Sequence, residues 1–552
     1  MPAAPDATKV LVAVAWPYAS GSRHLGHLAG AYLPADIYAR FQRAIGNDVL
    51  MVSGSDVHGT PITVRAEADG VDPQVIVDRY HTEILQNWED LSFDWDLFTS
   101  TGTENHHAVT QDMFLRLHDK GHIDKRSSDQ FYDPEVDRFL PDRYVEGTCP
   151  HCGYGDARGD QCDNCGRTLD PVDLIDPRSK LSGATPIQRS TDHFYLRLSD
   201  FEDQLKGWLE TREGWRKHVT NFSLGWIAEG LHDRAITRDI GWGVDIPVEG
   251  LGPGKKIYVW FDAVIGYLSA AKEWAQIQNT PERWREWWEN DDAEHVYFIG
   301  KDNVPFHAII WPAMLMGYGG LQLPTNIPAN QYVTFKGGKA SASRGIGLTI
   351  GEALDVFEPD AIRYAMAANL PENSDVDITE DELVRRINEE LVATWGNLVN
   401  RVVSMTYRYF DGVVQPIADT DGIDDKAIAG VAAALDEARS AMSDVRLRQG
   451  LQTLMAGAQD VNAYLSEREP WKSAKTDLER TGTTLAIAIR AIASLAAGLA
   501  PYLPVTSLAV LDAVGFDTDV RQPAWGSVDV AEGTKLAELG PLFSKVELSV
   551  AE

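Results

Sequence analysis

The stretch TKVLVAVAWPY at residues 8–18, with GSRHLGHLAGAYLPADIYARFQRAIG at 21–46 and DVLMVSGSDVHGTP at 48–61, decides the fold. The first and third segments are apolar runs of strand length, and the second has helical periodicity after a Gly-Ser start. A strand, a helix and a second buried strand in succession are typical of a parallel sheet covered by helices. The sequence therefore predicts an α/β domain at the start of the chain.

The pattern changes twice further along the chain. From about 121 to 245 it breaks into short aromatic and turn-rich segments that hold all four cysteines. Strand signals return at KKIYVWFDAVIGY (255–267) and HVYFIGKDNVPFHA (295–308), so the middle segment is predicted to be inserted into the α/β domain. Beyond about 380 the chain is rich in Ala, Leu, Glu and Arg, and a helical bundle is predicted from amphipathic stretches at 381–410, 424–466 and 473–500.

The composition is that of an ordinary globular protein. Charged residues are 24% and hydrophobic residues 44% of 552, which argues against disorder, and four cysteines are too few for a disulfide framework. Residues 1–6 lack the basic start of a signal peptide, so none is expected, and the longest apolar run, Leu485 to Leu499, contains Arg490 and keeps helical spacing. We expect a cytoplasmic protein without a membrane span, and this run as a buried bundle helix.

The charge is unusual, because 82 acidic against 50 basic residues give a net charge of −32. Such a surface repels phosphate backbones. Two explanations stay open at this point: either the partner is not a nucleic acid, or the protein works at high salt, which screens the repulsion within about 3 Å at 1 M. The second explanation predicts a halophilic source, and we expect a halophilic archaeon.

Cysteine spacing gives the sharpest single motif. Cys149-Pro-His-Cys152 and Cys162-Asp-Asn-Cys165 are separated by nine residues, and paired Cys-x-x-Cys knuckles can place four thiolates tetrahedrally around Zn²⁺. A four-sulfur site leaves no open position for a water nucleophile, so one structural zinc ion per chain is expected. His151 is expected in an exposed loop rather than on the metal.

A pair of histidines follows the first strand. His24-Leu25-Gly26-His27 begins the first predicted helix, where backbone amides and the helix dipole favour anions. Imidazoles at i and i+3 share one helix face, and Gly26 lets a ligand approach closely. The segment is a candidate phosphate-binding site, although two histidines on a helix are more often a surface or packing feature.

Several motifs together resemble a known family. Residues 16–27 are similar to the first signature of class I aminoacyl-tRNA synthetases, and Ser55–Pro61, the four-cysteine knuckle, Tyr258–Ala263 and Gly300–His307 resemble motifs of the methionyl-tRNA synthetase family in the same order. The related leucyl, isoleucyl and valyl enzymes are much longer and carry an editing insertion for which this chain has no room. The resemblance implies a split Rossmann-type parallel sheet, an inserted zinc-knuckle domain and an all-α anticodon-binding bundle.

The resemblance also implies the domain limits and the reaction. L-Methionine would be activated with ATP, which brings Mg²⁺, to methionyl-adenylate, and the acyl group would pass to the 3′ end of methionine tRNA in translation initiation and elongation. The implied domains are the two catalytic halves at 1–120 and 246–328, the insertion at 121–245, the signature-loop region at 329–385 and the bundle at 386–552.

The family's second signature corresponds to Lys339-Ala340-Ser341-Ala342-Ser343-Arg344-Gly345. Ala342 replaces the second lysine of that signature, so Lys339 is expected to carry the main charge on the triphosphate, with Lys336 and Arg344 nearby in a Gly-rich loop. Lys339 joins His24 and His27 as the expected catalytic set. The resemblance implies an ATP site of His24, Gly26, His27, Lys301, Asp302, Lys339, Ser341 and Ser343.

The resemblance also implies a methionine pocket. A thioether is apolar and polarizable, so it suits aromatic walls with a tyrosine or histidine donor at the end, while Asp56 pairs with the α-ammonium group. Singly, Trp260 or Tyr267 would be expected in the core. The chain departs from the family pattern at Val264 and Asn303. The implied pocket is Trp16, Tyr18, Asp56, Trp260, Ala263, Tyr267 and His307.

Three bundle residues match positions that contact the anticodon in the family: Asn397, Arg401 and Trp471. A tryptophan face can stack an unpaired base, and asparagine and arginine can read base edges. Each residue alone would more often serve helix packing.

Two other functions share part of these features. A nucleotidyltransferase could use the same histidine signature without tRNA, but it would not need the bundle. A non-catalytic zinc-containing RNA-binding protein would need neither the ATP loop nor the aromatic pocket. Because the chain ends at Glu552, shortly after Leu542–Val546 closes the bundle, we expect a monomer without a fused C-terminal tRNA-binding domain.

Overall fold

The structure is a computed structural model of the 552-residue chain. It describes residues 7–140, 142–159, 161–162, 164–165, 167, 169–335, 347–518 and 521–547, and the backbone of 338–339.

Strands and helices alternate in the first part of the chain, and the middle part consists mostly of short strands. The first part contains β1 (Lys9–Val14), α1 (Leu25–His27), α2 (Leu33–Ala44), β2 (Asp48–Ser55), α3 (Thr60–Asp69), α4 (Pro73–Asp90), β3 (Leu97–Ser100) and α5 (Glu104–Asp119). The middle part contains β4 (Ile123–Asp133), β5 (Arg138–Phe139), β6 (Val145–Thr148), β7 (Ala157–Arg158), β8 (Ile175–Ser179), β9 (Ile187–Leu196), α6 (Glu202–Glu210), α7 (Lys217–Ala228), β10 (Arg234–Ala235) and β11 (Thr237–Arg238).

The rest of the chain returns to the first sheet and then becomes helical. It contains β12 (Lys256–Ile257), α8 (Val259–Ile277), α9 (Arg285–Trp288), β13 (Glu294–Gly300), α10 (Trp311–Tyr318), β14 (Ala329–Asn330), β15 (Val333–Phe335), β16 (Gly338–Lys339), α11 (Ile350–Leu354), α12 (Pro359–Ala367), β17 (Val376–Ile378), α13 (Glu380–Arg385), α14 (Asn397–Phe410), α15 (Gly422–Ser443), α16 (Leu447–Arg468), α17 (Pro470–Ser473), α18 (Leu478–Leu499) and α19 (Pro504–Ala513). Wider π-helical turns cover Leu28–Tyr32, Phe306–Ile310 and Arg386–Gly396.

A five-stranded parallel sheet in the order β14-β13-β1-β2-β3 carries the site. The central strand β1 is buried from Val10 to Val14, as its unbroken apolar run predicts. Because β13 and β14 come after the middle segment, the sheet is assembled from two separate parts of the chain. The predicted α/β fold with an insertion and a helical C-terminal region is confirmed.

The middle segment forms two small antiparallel sheets, β10-β9-β4-β5 and β7-β6-β8. The second sheet carries the cysteine knuckle, and Tyr144, directly before β6, packs on α3, where its hydroxyl donates to Thr63 Oγ1 at 3.0 Å. Arg138 of β5, in the first of these two sheets, pairs with Glu67 of α3 at 2.8 Å. The knuckle is therefore tied to the helix that follows the end of β2.

Two predicted elements differ from the structure. KKIYVWFDAVIGY was expected as a strand, but only Lys256–Ile257 is extended and helix α8 begins at Val259. Most of α8 is buried, and a helix buried on nearly all sides has the same continuous apolar run as a buried strand. The stretch 424–466, predicted as one amphipathic stretch of the bundle, divides into the two helices α15 and α16 at a turn in which Val445 has φ 55°.

The apolar run Leu485 to Leu499 lies in α18, which packs against α14, α15, α16 and α19. In the described part of the chain, α18 is the one helix long and apolar enough to cross a membrane, and 94% of its apolar window is buried inside the protein. It is the core helix of the bundle, as predicted.

Candidate active site

An open cleft of about 1600 Å³ lies at the carboxyl ends of β1, β2 and β13. Open parallel sheets bind ligands at this edge, where loops leave adjacent strands. The cleft is also lined by Val264 and Asn303, the two positions that depart from the family pattern. Eleven of the predicted site residues line it: Trp16, Tyr18, His24, Gly26, His27, Asp56, Trp260, Ala263, Tyr267, Asp302 and His307.

The two signature histidines hold each other in place. His24 is the N-cap of α1, its Nδ1 accepts the His27 amide at 3.3 Å, and the His27 Nδ1 accepts the His24 amide at 3.3 Å. The rings stack with centroids 3.7 Å apart. An Nδ1 that accepts a hydrogen bond has no proton, so in the neutral ring the proton is on Nε2. Both rings therefore carry an Nε2–H donor in a cleft beside a helix N-terminus, which suits them to a phosphate.

The end wall of the cleft is a tyrosine–histidine pair. Burial lowers the pKa of His307 to about 4, so the ring is neutral. Its Nδ1–H donates to the Asn303 carbonyl at 2.9 Å, so the Tyr267 hydroxyl donates to the other nitrogen, Nε2, at 2.7 Å. The predicted donor at this wall is thus directed to His307, and Tyr267 offers an approaching thioether its aromatic ring.

Trp16 is held between two backbone segments that have no side chains at the contact. A Cβ built on Gly266 of α8 would lie 2.5 Å from Trp16 Cε2, and one on Gly54 of β2 would overlap Trp16 Cζ3. Glycine at both positions lets the indole insert between β2 and α8. In the same way, Gly59 leaves room for the ring of Tyr18.

Asp56 is 3% exposed and follows the end of β2. The His58 amide donates to its Oδ1 at 3.1 Å. The pKa of Asp56 is raised to about 8, first by burial and then by the nearby Asp262 carboxylate. His58 acts in the opposite direction and lowers it. A carboxyl group in this state gains most from a bound cation such as an α-ammonium group.

Lys301, predicted for the ATP site, does not line the cleft. Its Nζ pairs with Asp375 at 2.8 Å and lies 3.8 Å from the centroid of the Tyr332 ring. Asp302, which does line the cleft, accepts a hydrogen bond from the Tyr332 hydroxyl. Lys301 therefore supports Tyr332 at the rim.

The second signature lies mostly outside the described residues, which include neither Lys336, Ser341, Ala342, Ser343 nor Arg344. The described backbone fixes both ends of the loop: Lys339 pairs with Thr334 in β15–β16, and beyond the loop Thr349 forms a bridge with His24. The Ile350 amide donates to the Arg23 carbonyl at 2.8 Å. The loop thus begins and ends beside the first signature.

Sequence reasoning missed several residues that line the cleft, among them Tyr32 and Gln331. Arg143 and Gln161 come from the inserted segment, and Arg143 lies 5.8 Å from the centroid of the Tyr18 ring. Their place depends on how the knuckle packs on α3, for which no local sequence signal exists.

The four cysteines form one cluster, with all sulfur atoms within 4.8 Å of one another. Cys149 Sγ and Cys165 Sγ are 3.9 Å apart, and Cys152 Sγ and Cys162 Sγ are 3.6 Å apart. Four sulfurs bonded at ~2.3 Å to a tetrahedral zinc ion lie roughly 3.8 Å from one another, so the cluster fits this metal. His151 is exposed and its Nδ1 lies 3.4 Å from Arg167, outside the cluster.

The predicted anticodon residues meet on one face of the bundle. Arg401 lies with its guanidinium carbon 5.6 Å from the centroid of the Trp471 ring and donates to Asn462 at 3.2 Å. Asn397 is exposed one turn earlier on α14, on the same face as Arg401. An exposed amide, a guanidinium and a half-buried indole thus form one small polar and aromatic surface.

Comparisons with known proteins agree with this arrangement. Residues 10–403 match the family described as tRNA synthetases class I (M), and residues 416–549 match the anticodon binding domain of methionyl tRNA ligase. The chain is 50% identical to the methionine–tRNA ligase of Roseiflexus sp. (strain RS-1) over 95% of this chain and 90% of that protein, and 47% identical to that of Dehalococcoides mccartyi over 99% and 98%.

A solved structure, Mycobacterium tuberculosis methionyl-tRNA synthetase in complex with methionyl-adenylate, superposes with a TM-score of 0.80 at 26% identity, covering 97% of this chain and 99% of that one. These relatives are bacterial, so the expected archaeal source is not supported. With two family matches and relatives of this identity along nearly its whole length, the chain belongs to the methionyl-tRNA synthetases, class I enzymes that ligate methionine to tRNA.

Proposed function

We propose that the cleft carries out both steps of this ligation with the residues described above. In the first step a methionine carboxylate oxygen attacks the α-phosphorus of ATP and pyrophosphate leaves. In the second, a hydroxyl of the terminal tRNA ribose attacks the carbonyl carbon of the adenylate and AMP leaves. The observation that carries this proposal is that one cleft joins the histidine pair to the aromatic pocket around Asp56.

Methionine binds with its α-ammonium group on Asp56 and its side chain between Trp16, Trp260 and the Tyr267–His307 wall. Ionised Asp56 supplies a charge-assisted hydrogen bond, and the neutral, internally bonded end wall accepts an uncharged thioether more readily than a polar side chain. Tyr18 and Ala263 complete the pocket.

ATP binds with its phosphates at the N-terminus of α1. The Nε2–H groups of His24 and His27 donate to phosphate oxygens, and because the backbone fixes both Nδ1 atoms, the donors need no reorientation as charge develops. Gly26 leaves space beside the two rings, and Asp302 is held at the rim by Tyr332. Mg²⁺ arrives with ATP as the counter-ion of its phosphates.

Lys339 supplies the main cation of the second signature. Its strand partner Thr334 directly follows Val333, which lines the cleft, and the far end of the loop pairs with His24. Both described ends of this segment therefore lie beside the cleft, which supports a role of Lys339 at the β- and γ-phosphates. Ser341 and Ser343 are proposed as hydroxyl donors in the same loop.

The zinc ion has a structural role. Cys149, Cys152, Cys162 and Cys165 would hold it, and the closed sulfur shell supplies a cross-link within the insertion rather than a reactive water. The knuckle core includes Tyr144, whose hydroxyl bonds Thr63, and the adjacent Arg143 lines the cleft. Metal binding therefore supports the part of the insertion that reaches the active site.

The bundle binds the anticodon through Asn397, Arg401 and Trp471. The indole would stack an unpaired base, a contact of about 1–3 kcal/mol, while the guanidinium and the amide reach base edges.

We further propose that the domains end at residues 120, 245, 328 and 385. We also propose that the enzyme is cytoplasmic and monomeric.

The histidine pair gives the sharpest test of the proposed cleft. Asparagine is a good helix N-cap, so His24→Asn keeps the cap of α1 but removes the Nε2–H donor. ATP–pyrophosphate exchange with methionine should slow by roughly 10²–10³-fold, as for one oxyanion donor, with little change in methionine KM or unfolding midpoint. Wild type should exchange without tRNA and should not respond to leucine or valine. A variant with the wild-type exchange rate would remove His24 from the mechanism.

A further inference from the structure

A buried cluster of one carboxylate and two imidazoles lies behind the methionine pocket. Asp262 of α8 is 0% exposed; its Oδ2 accepts from His58 Nδ1 at 2.6 Å and its Oδ1 from His106 Nε2 at 2.6 Å. The Thr110 hydroxyl adds a third hydrogen bond at 3.2 Å. His106 Nδ1 lies 2.8 Å from the Ser269 hydroxyl oxygen, so α8 also holds the His106 ring. The carboxylate is thus bound by His58 at one oxygen and by α5 at the other.

This cluster connects directly to the residue proposed to bind the α-ammonium group. His58 is bonded to Asp262 through its ring and to Asp56 Oδ1 through its amide, so one residue contacts both carboxylates. Asp56 and Asp262 are 3% and 0% exposed. Two buried carboxylates this close to one another cannot both be ionised at low cost unless a cation lies with them.

We propose that His58, held by Asp262, is a positioning residue for methionine: its imidazolium stabilises the ionised form of Asp56, to which the α-ammonium group binds. This inference rests on the proposed role of Asp56. Asp262 in turn fixes the imidazolium, and His106 and Thr110 fix Asp262.

The electrostatic surroundings agree with the geometry. Burial alone would lower the pKa of His58, but the charge and hydrogen bond of Asp262 together with the charge of Asp56 outweigh it, and the net shift is upward. Burial would raise the pKa of Asp262, but His106 and His58 bring it well below its ordinary value. The other titratable groups that act on His58 or on its neighbour His107 are Lys256 of β12, which disfavours the imidazolium, and Asp245.

The test is His58→Asn, whose amide nitrogen can replace the ring Nδ1 as donor to Asp262 while the charge is lost. The main-chain bond to Asp56 is unaffected. Methionine KM at pH 7 should rise about tenfold for each unit by which the pKa of Asp56 increases, with kcat and the ATP KM within about twofold of wild type. The defect should shrink as the pH rises from 7 to 9, because Asp56 ionises again. A purely structural role of His58 would give no such recovery with pH.

His107→Gln is the matched control. This ring lies on the same helix as His106, 5.3 Å from His58 by ring centroid, and its Nε2 makes no hydrogen bond in the described part of the chain. Its methionine KM should equal that of wild type. An unchanged or pH-independent methionine KM in His58→Asn would overturn the inference.

Asp56→Asn separates this inference from the proposed function. If Asp56 binds the α-ammonium group, Asp56→Asn raises methionine KM strongly and adding His58→Asn raises it little further. If Asp56→Asn leaves the methionine KM unchanged, the proposed pocket is wrong. If Asp56→Asn raises the methionine KM and His58→Asn does not, only the positioning role of His58 is wrong. Should His58→Asn not fold, ¹⁵N-histidine NMR of the wild type gives the answer, since the inference requires an imidazolium at pH 7.5 and a spectrum with only neutral rings contradicts it.

Discussion

Gly266→Ala tests whether the methionine pocket is built around the position of Trp16. The added methyl group would lie 2.5 Å from Cε2, 2.6 Å from Cζ2 and 2.9 Å from Nε1 of the indole. Ordinary carbon contacts are about 3.5–4.0 Å, so the ring must move by roughly 1 Å. Gly54 of β2 packs against the same ring at Cζ3. The free direction is therefore into the cleft, where methionine is proposed to bind.

Two opposing effects determine how much Gly266→Ala changes the stability of the fold. Overpacking a well-packed site costs about 1–3 kcal/mol. Alanine is better than glycine in a helix by roughly 1 kcal/mol, which offsets part of that cost in the stability of the fold. No such gain applies to the bound substrate, because the displaced ring occupies its space. We expect methionine KM to rise about 5- to 150-fold, since 1.4 kcal/mol corresponds to a factor of ten.

ATP–pyrophosphate exchange at varied methionine and at varied ATP, with thermal unfolding alongside, measures these effects. The ATP KM should change less than twofold. Gly207→Ala is the control, because Gly207 lies in α6 with nothing within 4 Å of a built Cβ; it should leave both KM values unchanged and raise the unfolding free energy by up to about 1 kcal/mol. A Gly266→Ala enzyme with the wild-type methionine KM would show that Trp16 does not form a wall of the pocket.

Four further changes test other parts of the molecule. Lys339→Ala should slow adenylate formation by roughly 10²–10³-fold in pre-steady-state pyrophosphate release, with little change in methionine affinity, and Lys336→Ala should cost less; a wild-type rate would move the role to Arg344 or to the backbone. Cys152→Ala should lose the metal and destabilise the insertion while the sheet persists, and metal analysis of reduced wild type that finds no stoichiometric zinc would contradict the assignment. Arg363→Met removes a fully buried guanidinium group, so the unfolding free energy should fall by about 3–5 kcal/mol. That group donates hydrogen bonds to Asp36 and to the carbonyl groups of Leu91, Pro501 and Tyr502. Arg439→Met at an exposed position is the control and should lower the unfolding free energy by less than ~0.5 kcal/mol. With −32 charges to screen, activity and thermal stability should rise from low to molar KCl, and an optimum at low salt would argue against adaptation to high salt.

The sequence predicted those parts of the fold that depend on local pattern. The unbroken apolar run of β1 defines a strand regardless of what packs on it, whereas the helix after it begins at Leu25 with His24 as its N-cap, three residues after Gly21-Ser22. Cysteine spacing was equally informative, because two short knuckles leave few other ways to arrange four thiolates. By contrast, the run Tyr258–Tyr267 has apolar residues on every side, so its helical conformation depends on burial, which the sequence does not contain.

The site was predictable only as far as a resemblance reached. The resemblance located the cleft residues by their motifs, but it did not identify the side chains that hold those residues in position. Asp262 and His58 are 204 residues apart, and Asp262 and His106 are 156 apart, so their contact exists only once α5 and α8 pack together. Lys301 shows the same limit from the other side: its place in the ATP site stays a prediction, and its ion pair with Asp375, 74 residues away, has no signal in the motif.

The acidic composition and the proposed phosphate site in the cleft do not conflict, because they act over different distances. Cationic and hydrogen-bond-donating side chains line the cleft, namely Arg23, Arg143, His24 and His27. The acidic residues in the same lining are Asp56 and Asp302. A ligand in hydrogen-bond contact with these groups is closer than the screening length of about 10 Å at 0.1 M salt or about 3 Å at 1 M, so salt weakens its binding little. The surface carboxylates repel tRNA over distances of many screening lengths, so high salt almost removes this repulsion. Salt should therefore change the tRNA KM far more than the methionine KM, since tRNA must approach across the acidic surface while methionine carries no net charge.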